Sequence, residues 1–132
     1  MAKLTEKQAQ FLENPYYGVV TTLRPDGSPH STVVWVDVVD GNPAFNTAYP
    51  RVKPANLEND PRASLVVIDP GNSYKWLSVD GRVELTTDGA NDQIDKLARK
   101  YTEHDKYPWH KEGEERVSVR IIPEHVTATE ID

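Results

Sequence analysis

The stretch YGVVTTLRPDGSPHSTVVWVDV, residues 17–38, contains two strand-like segments joined by a short turn. Val and Thr, which favour strands, recur in both segments, 17–23 and 30–38. Between the segments, Pro25 fixes φ and Gly27 tolerates a positive φ, as a tight turn requires. The pattern predicts a β-hairpin. In its second strand we expect alternate side chains to share one face: Thr32, Val34, Val36 and Val38.

Outward from this hairpin, strand and helix patterns alternate along the rest of the chain. Short helices are predicted at 5–12, 54–59 and 88–101. Thr5 and Gln8 can form a capping box at the first helix, and Asp88 can cap the last. Further strands are predicted at 44–47, 62–68, 74–86, 115–122 and 126–131. Strand 62–68 is almost continuously apolar, which predicts burial on both faces. Antiparallel strands with short turns and small helices predict a mainly β fold, a closed or half-closed β-barrel.

Length and composition limit the function classes. The chain has 132 residues, which favours a single domain over residues 1–132. A domain of this size buries roughly two-thirds of its unfolded surface, so a large ligand is expected in a surface groove or between subunits. The net charge of −6 and the pI near 5.2 argue against nonspecific nucleic-acid binding and against docking on anionic membranes. Without Cys there are no disulfides, thiolate nucleophiles or Cys–zinc sites. Because no apolar signal core or membrane-spanning run is present, we expect a cytoplasmic protein.

The segment TAYPRVKPANL, residues 47–57, carries two cations just before a predicted helix. Pro54 suits the first helical position because its missing N–H would be unpaired there. Arg51 and Lys53 would then lie at a helix N-terminus, where free N–H groups and the helix dipole favour an anion. The alternative is two solvated loop cations. Because the chain is acidic overall, a cationic site here indicates a specific phosphate or carboxylate ligand.

Residues 32–35, together with Asn46 and Thr47, can form a site for a flat ring. A ring can lie across a strand edge and accept hydrogen bonds from backbone groups and from Thr or Asn side chains. The alternative is that Trp35 is an ordinary packing aromatic.

Tyr74, Lys75 and Trp76 place two aromatic rings on either side of a cation. Tyr and Trp are enriched in interfaces, so this tripeptide can line a groove or a dimer interface. The alternative is that Tyr74 and Trp76 pack on one face of a strand.

Motifs of hydrolysis, metal binding and nucleotide phosphate loops are missing from the sequence. None of the four His residues stands at a metal-ligand spacing, so no metal site is predicted. There is no nucleophile elbow, no GxGxxG and no Walker loop. Asp and Glu are scattered as on a solvated surface. No catalytic residue is therefore assigned.

In their order along the chain, seven segments resemble the flavin/deazaflavin oxidoreductase family, which has a pyridoxamine-phosphate-oxidase-like split β-barrel. They are GVVTTL at 18–23, RPDGSP at 24–29, TVVWV at 32–36, FNT at 45–47, RxKxxNL at 51–57, DPRASL at 60–65 and VxGRVEL at 79–85. The resemblance extends from about residue 4 to residue 128 and is closest to the coenzyme F420-dependent reductases.

The resemblance implies a homodimer with two cofactor sites between the subunits. By position, Arg51 and Lys53 would hold the cofactor phosphate, with Val52 between them and Asn56 supporting the loop. The ring system would be lined by Val33, Val34, Trp35, Asn46 and Thr47. The partner subunit would contribute Tyr74, Lys75 and Trp76.

The activity implied by the resemblance is hydride transfer from reduced F420 to a conjugated, electron-poor small molecule, such as a quinone or a tetrapyrrole like biliverdin. One alternative is an FMN-dependent oxidase of the pyridoxamine-phosphate-oxidase type or a flavin reductase. Another is a non-catalytic protein that binds a cofactor or haem. The FMN oxidases carry further basic phosphate ligands that this sequence lacks, which favours F420. The loop 107–113 matches no family motif, so the sequence leaves the substrate open.

Overall fold

The computed structural model describes residues 2–131, which contain three helices and seven strands. The helices are α1 (Glu6–Leu12), α2 (Val52–Asn59) and α3 (Ala90–Tyr101). The strands are β1 (Gly18–Leu23), β2 (Pro29–Val34), β3 (Val36–Val39), β4 (Asn42–Tyr49), β5 (Arg62–Asp69), β6 (Asn72–Thr86) and β7 (Glu115–Thr129). The predicted mainly β fold is confirmed.

All seven strands form one antiparallel sheet in the order β2-β1-β5-β6-β7-β4-β3. The strands at its two ends, β2 and β3, are consecutive in the chain and separated only by Trp35. The sheet therefore has to curl until its ends meet, which gives a split barrel. The predicted hairpin is confirmed, with Val19 opposite Val33 across β1 and β2.

The inward-facing side chains of the curled sheet form the core, with α1 packed against it. The capping box is confirmed: Thr5 Oγ1 accepts from the Gln8 amide at 3.1 Å, and Gln8 Oε1 accepts from the Thr5 amide at 2.9 Å. In the core, burying one large aliphatic or aromatic side chain contributes about 1.5–3 kcal/mol to stability. The largest fully buried side chains are Phe45, Leu12, Leu57, Leu65, Leu77, Leu97 and Ile121.

Two strand predictions are wrong in detail. The expected strand 30–38 is interrupted at Trp35, because the chain bends there from one end of the sheet to the other. The expected burial of β5 on both faces does not occur within the chain, since Val66 and Ile68 on its outer face are 41% and 43% exposed. Only its inner face contacts the core.

The strands expected at 115–122 and 126–131 are one strand, β7, which ends at Thr129 and is bent by a bulge. Gly81 lies opposite Pro123 whereas Asp80 lies opposite His125, so β7 has one extra residue there. A Cβ at Gly81 would lie 2.0 Å from the carbonyl oxygen of Ile122, so only glycine fits this close approach.

The caps of two helices also differ from expectation. Helix α2 begins at Val52 with Arg51 as N-cap, so Pro54 occupies the third helical position rather than the first. Helix α3 has Gly89, with φ of 71°, as N-cap in place of Asp88. No helix within residues 2–131 is long and apolar enough to cross a membrane.

Candidate functional site

A cleft of about 210 Å³ opens where the β2–β3 bend, the N-terminus of α2 and helix α3 meet. We call it the β2–α2 cleft. It is lined by Tyr17, Val33, Val34, Trp35, Asn46, Arg51, Lys53, Ile94, Leu97, Tyr107 and Arg116. Six of these residues belong to the cofactor site expected from the sequence. The fold therefore brings parts of residues 47–57, which we call the phosphate segment, and of residues 32–35, which we call the ring segment, into one cavity.

Lys53 is the half-buried cation of the cleft. Within residues 2–131 it makes no hydrogen bond or ion pair, and no side chain caps helix α2 beside it. Burial, and then repulsion from Arg51, lower the pKa of the Lys53 ammonium below its usual value of 10.5. A half-buried ammonium beside free helical N–H groups is suited to a phosphate, whose charge would satisfy both.

Arg51 is held differently, because its guanidinium is already paired. Arg51 Nη2 lies 3.0 Å from Oε2 of Glu114, whose side chain is only 5% exposed. The same carboxylate accepts a 3.0 Å hydrogen bond from Nε of Arg116 and lies 3.6 Å from Nδ1 of His110. Burial raises the pKa of Glu114, but attraction to Arg116 and Arg51 outweighs it and leaves the pKa below its usual value. Glu114 thus ties one wall of the cleft to the loop before β7.

Asn46 and Arg116 form the polar floor of the cleft. Asn46 Nδ2 donates to the carbonyl oxygen of Ala90 at 2.8 Å and to Gln93 Oε1 at 2.9 Å, and its own oxygen accepts from Arg116 Nη1 at 3.2 Å. Arg116 Nη2 lies 2.9 Å from Glu114 Oε1 without the alignment of a hydrogen bond, so this buried nitrogen has no hydrogen-bond acceptor within the described chain. These bonds fix the amide of Asn46 in one orientation.

The ring segment contributes an apolar wall and a free strand edge. Val34, together with Ile94 and Leu97 of α3, is buried and lines the cleft. Among the strands of residues 2–131, β2 pairs only with β1, so the other edge of β2 has backbone N–H and C=O groups without a strand partner there. An apolar wall with a row of backbone donors and acceptors suits a flat heteroaromatic ring.

Six of the expected site residues lie outside the lining of the cleft, and three of them, Thr47, Val52 and Asn56, belong to the part of the site expected from the same chain. Thr47 is fully buried and its hydroxyl has no hydrogen-bond partner within the described chain. Val52 is exposed on the first turn of α2. Asn56 is buried and donates to Thr22 Oγ1 at 3.1 Å, which ties α2 to β1. Asn56 thus fixes α2 against β1 and does not line the cleft.

Tyr74, Lys75 and Trp76 do not contribute to the cleft of their own chain. Tyr74 is 72% exposed. Lys75 lies on the other side of β6, with Nζ 5.9 Å from the ring centroid of Phe11. Trp76 pairs with Ile68 across β5 and β6, so it belongs to the outer face of the sheet.

Five residues of the cleft were not predicted from the sequence. Ile94 and Leu97 could have been found, since both lie on the apolar face of a clear amphipathic helix. Arg116 begins an otherwise apolar strand, and Tyr107 lies in a loop without a motif, so neither carried a signal. The full set of missed residues is Tyr17, Ile94, Leu97, Tyr107 and Arg116.

A second, larger groove of about 660 Å³ lies beside α3 and the ends of β6 and β7. Its three cations are already engaged: Lys96 contacts Asp37 at 2.8 Å, Arg120 contacts Asp40 at 2.7 Å, and Arg99 Nη1 donates to the Asp105 carbonyl oxygen at 2.9 Å. No cluster of three potential metal ligands occurs anywhere in residues 2–131. The β2–α2 cleft is therefore the better candidate for an anionic ligand.

The model of the pyridoxamine 5'-phosphate oxidase family matches residues 4–130. No curated protein sequence matches the chain significantly. Among solved structures, one described as an F420 reductase is 30% identical, with a TM-score of 0.80, covering 94% of this chain and 98% of that one. A conserved hypothetical protein from Mycobacterium tuberculosis is 25% identical, with a TM-score of 0.73, covering 96% of this chain and 84% of that one.

General Stress Protein 26 from Bacillus anthracis shares the fold at 18% identity, with a TM-score of 0.71, covering 96% of this chain and 94% of that one. The family match extends over nearly the whole chain and agrees with the split barrel. The chain therefore belongs to the pyridoxamine 5'-phosphate oxidase family, a family of flavin-type oxidoreductases with an F420-using branch.

Proposed function

We propose that this protein is an F420-dependent reductase that transfers a hydride from the reduced deazaflavin to a conjugated, electron-poor small molecule. Quinones and tetrapyrroles such as biliverdin are the acceptor classes we put forward. The likeness to a structure described as an F420 reductase supports F420 over other members of the cofactor class.

The observation that carries the proposal is the state of Lys53. A half-buried ammonium without a counterion in the described chain is costly unless a ligand supplies the charge. Its place beside the uncapped start of α2 matches a phosphate, which both F420 and FMN carry. Arg51 already has Glu114 as its partner. We therefore assign Lys53 as the principal phosphate ligand and Arg51 as a secondary one.

The chain's own residues bind and orient the reactants, whereas reduced F420, when bound, supplies the hydride. Lys53 and the first turn of α2 hold the phosphate. The free edge of β2 beside Val33 hydrogen-bonds the polar rim of the ring, and Val34 and Leu97 keep water away from its face. No side chain in residues 2–131 is assigned as proton donor, and solvent serves that role.

We further propose that a second copy of the chain completes the site. A cleft of about 210 Å³ is smaller than the roughly 300–1,000 Å³ of typical ligand sites. Val33, Val19 and Val66 lie side by side across β2, β1 and β5 and form an exposed apolar row. Val33 also lines the cleft, so a copy seated on this row would cover the open side of the cleft. In such a dimer, Tyr74 and Trp76 approach the partner's cofactor.

An FMN-dependent oxidase or flavin reductase is the second candidate. The family match favours it, since the matched model is named for an oxidase rather than for an F420 enzyme. The phosphate contact at Lys53 would be the same for F420 and for FMN, so the two cofactors would be distinguished by their ring systems and not by this contact.

The experiment that tests the proposal is turnover of reduced F420. Purified protein is mixed with reduced F420 and a panel of naphthoquinone, benzoquinone and biliverdin, and the return of oxidised F420 absorbance is followed against a protein-free control. We expect oxidation with at least one acceptor. Binding of F420 without any acceleration over the panel would contradict a reductase and indicate a carrier. A yellow protein carrying FMN on purification would indicate the second candidate.

A further inference from the structure

The loop between α3 and β7, residues 102–114, extends the aromatic wall of the β2–α2 cleft outward. Trp35 lies on the cleft, with its ring centroid 5.5 Å from Tyr101 in a stacked pair and 6.2 Å from Tyr107 in an edge-on pair. Tyr107 in turn lies 5.6 Å from Trp109. A continuous path of rings therefore leads from the cleft to a tryptophan that is 51% exposed.

This aromatic path is fixed in place by polar contacts at both ends. The Tyr107 amide donates to Asp95 Oδ1 of α3 at 2.9 Å, and Arg99 Nη1 donates to the Asp105 carbonyl oxygen at 2.9 Å. The guanidinium carbon of Arg116 lies 4.6 Å from the Tyr107 ring centroid, which is a cation–π contact. Arg116 is buried at the start of β7. The loop thus presents its rings in a defined position relative to the cleft.

The exposed indole of Trp109 is available for stacking. Its two ring neighbours, His104 and Tyr107, stand nearly perpendicular to it at 86° and 75°, so neither is stacked on it. About half of its surface is open to solvent. Indole and phenol faces are electron-rich, and they attract the electron-poor face of a conjugated carbonyl ring.

We propose that Trp109 is a specificity residue that binds the acceptor, and that it selects planar, electron-poor conjugated rings such as quinones. This inference rests on the proposed function, since it takes the β2–α2 cleft as the site of the reaction. Trp109 lies outside the lining of the cleft, and its ring contact with Tyr107 places the indole next to that lining. A saturated ring of the same size cannot stack, so it gains only the non-directional burial term.

The test is direct binding of menadione to the purified protein without cofactor, measured by equilibrium dialysis. The variants are Trp109→Ala, Trp109→Phe and the control Lys106→Ala, an exposed change in the same loop. Loss of one stacked aromatic pair together with its buried area predicts about 5- to 30-fold weaker menadione binding in Trp109→Ala. We expect Trp109→Phe to recover part of this loss and Lys106→Ala to match the wild type. The saturated ketone 1-decalone is expected to lose less affinity than menadione in Trp109→Ala, because it loses only the buried area and no stacked pair.

In turnover with reduced F420, Trp109→Ala should raise KM for menadione with little change in kcat, and F420 affinity should stay within twofold of wild type. Equal menadione affinity in the wild type and Trp109→Ala, or no menadione binding by the wild type, would overturn the inference. A protein that binds no F420 but loses menadione affinity on Trp109→Ala would refute the proposed function and leave the stacking role intact. Thermal unfolding of Trp109→Ala is expected to change little, because about half of the indole is exposed and neither ring neighbour stacks on it.

Discussion

Replacing Lys53 by Met removes the charge of the proposed phosphate ligand and keeps most of its aliphatic volume. Lys53 is half-buried and has no ion-pair partner within residues 2–131, so in the free protein the change deletes no contact. In the complex it deletes a charge-assisted hydrogen bond to phosphate. Losing one partner of a buried charged pair costs about 2–5 kcal/mol, and half-burial places Lys53 near 2–3 kcal/mol. That range corresponds to roughly 30- to 150-fold weaker binding.

The assay is an equilibrium titration of Lys53→Met with F420 and with FMN, because both ligands carry a phosphate. Lys3→Met is the matched control, since it removes the same charge from an exposed position far along the chain. Arg51→Met is expected to weaken binding only about two- to fivefold, because the Arg51 guanidinium is exposed and already shared with Glu114.

Thermal unfolding separates this role from a structural one. Because the unpaired ammonium is costly in the free protein, Lys53→Met should unfold at the same temperature as the wild type or a higher one. A residue that binds ligand at the expense of stability has this signature. Lys53→Met that binds both cofactors within twofold of wild type would refute the assignment, and lower stability of the free protein would refute the absence of a partner.

Substitutions at Glu114, Tyr101 and Val66 test three other parts of the structure. Glu114→Gln should make stability less sensitive to acid. Because the pKa of Glu114 is lowered in the folded protein, its contribution to stability is present above about pH 4.5 and is lost as the pH falls further. The free energy of unfolding measured in urea should therefore decline less steeply from pH 7 to pH 3 in the variant than in the wild type. Tyr101→Phe should lower the free energy of unfolding by about 1–3 kcal/mol in urea, since the hydroxyl accepts from the Val36 amide at 3.0 Å and donates to the Tyr16 carbonyl oxygen at 2.6 Å; an unchanged midpoint would contradict this. Val66→Lys should convert the proposed dimer to monomer in light scattering and weaken cofactor binding with it, whereas a dimer that persists would place the interface elsewhere.

Local patterns predicted most of the elements. The capping box at Thr5, the hairpin turn around Gly27 and the apolar face of α3 each depend on residues within a few positions of one another, which is why they were readable. The break between β2 and β3 at Trp35 could not be predicted from local sequence, because it arises from the curling of the whole sheet. For the same reason the bulge at Gly81 depends on the backbone of β7, far along the chain.

In the candidate site, too, local features were predicted from the sequence and long-range contacts were not. The sequence predicted that Arg51 and Lys53 belong to a site because both lie close to a helix start. The different environments of Arg51 and Lys53 could not be predicted, since the Arg51–Glu114 pair joins residues 63 positions apart. Arg116 and Tyr107 likewise enter the cleft only through the pairing of β4 with β7 and the path of the loop. Long-range pairing therefore decided which of the two cations remains free for a ligand.

Competition between F420 and FMN tests most directly whether the β2–α2 cleft binds F420. Purified protein, stripped of small molecules, is titrated with F420 in the presence and absence of excess FMN, and bound F420 is measured by dialysis. We predict one F420 per chain, with FMN displacing it only weakly. Tight FMN binding with no detectable F420 binding would contradict the claim.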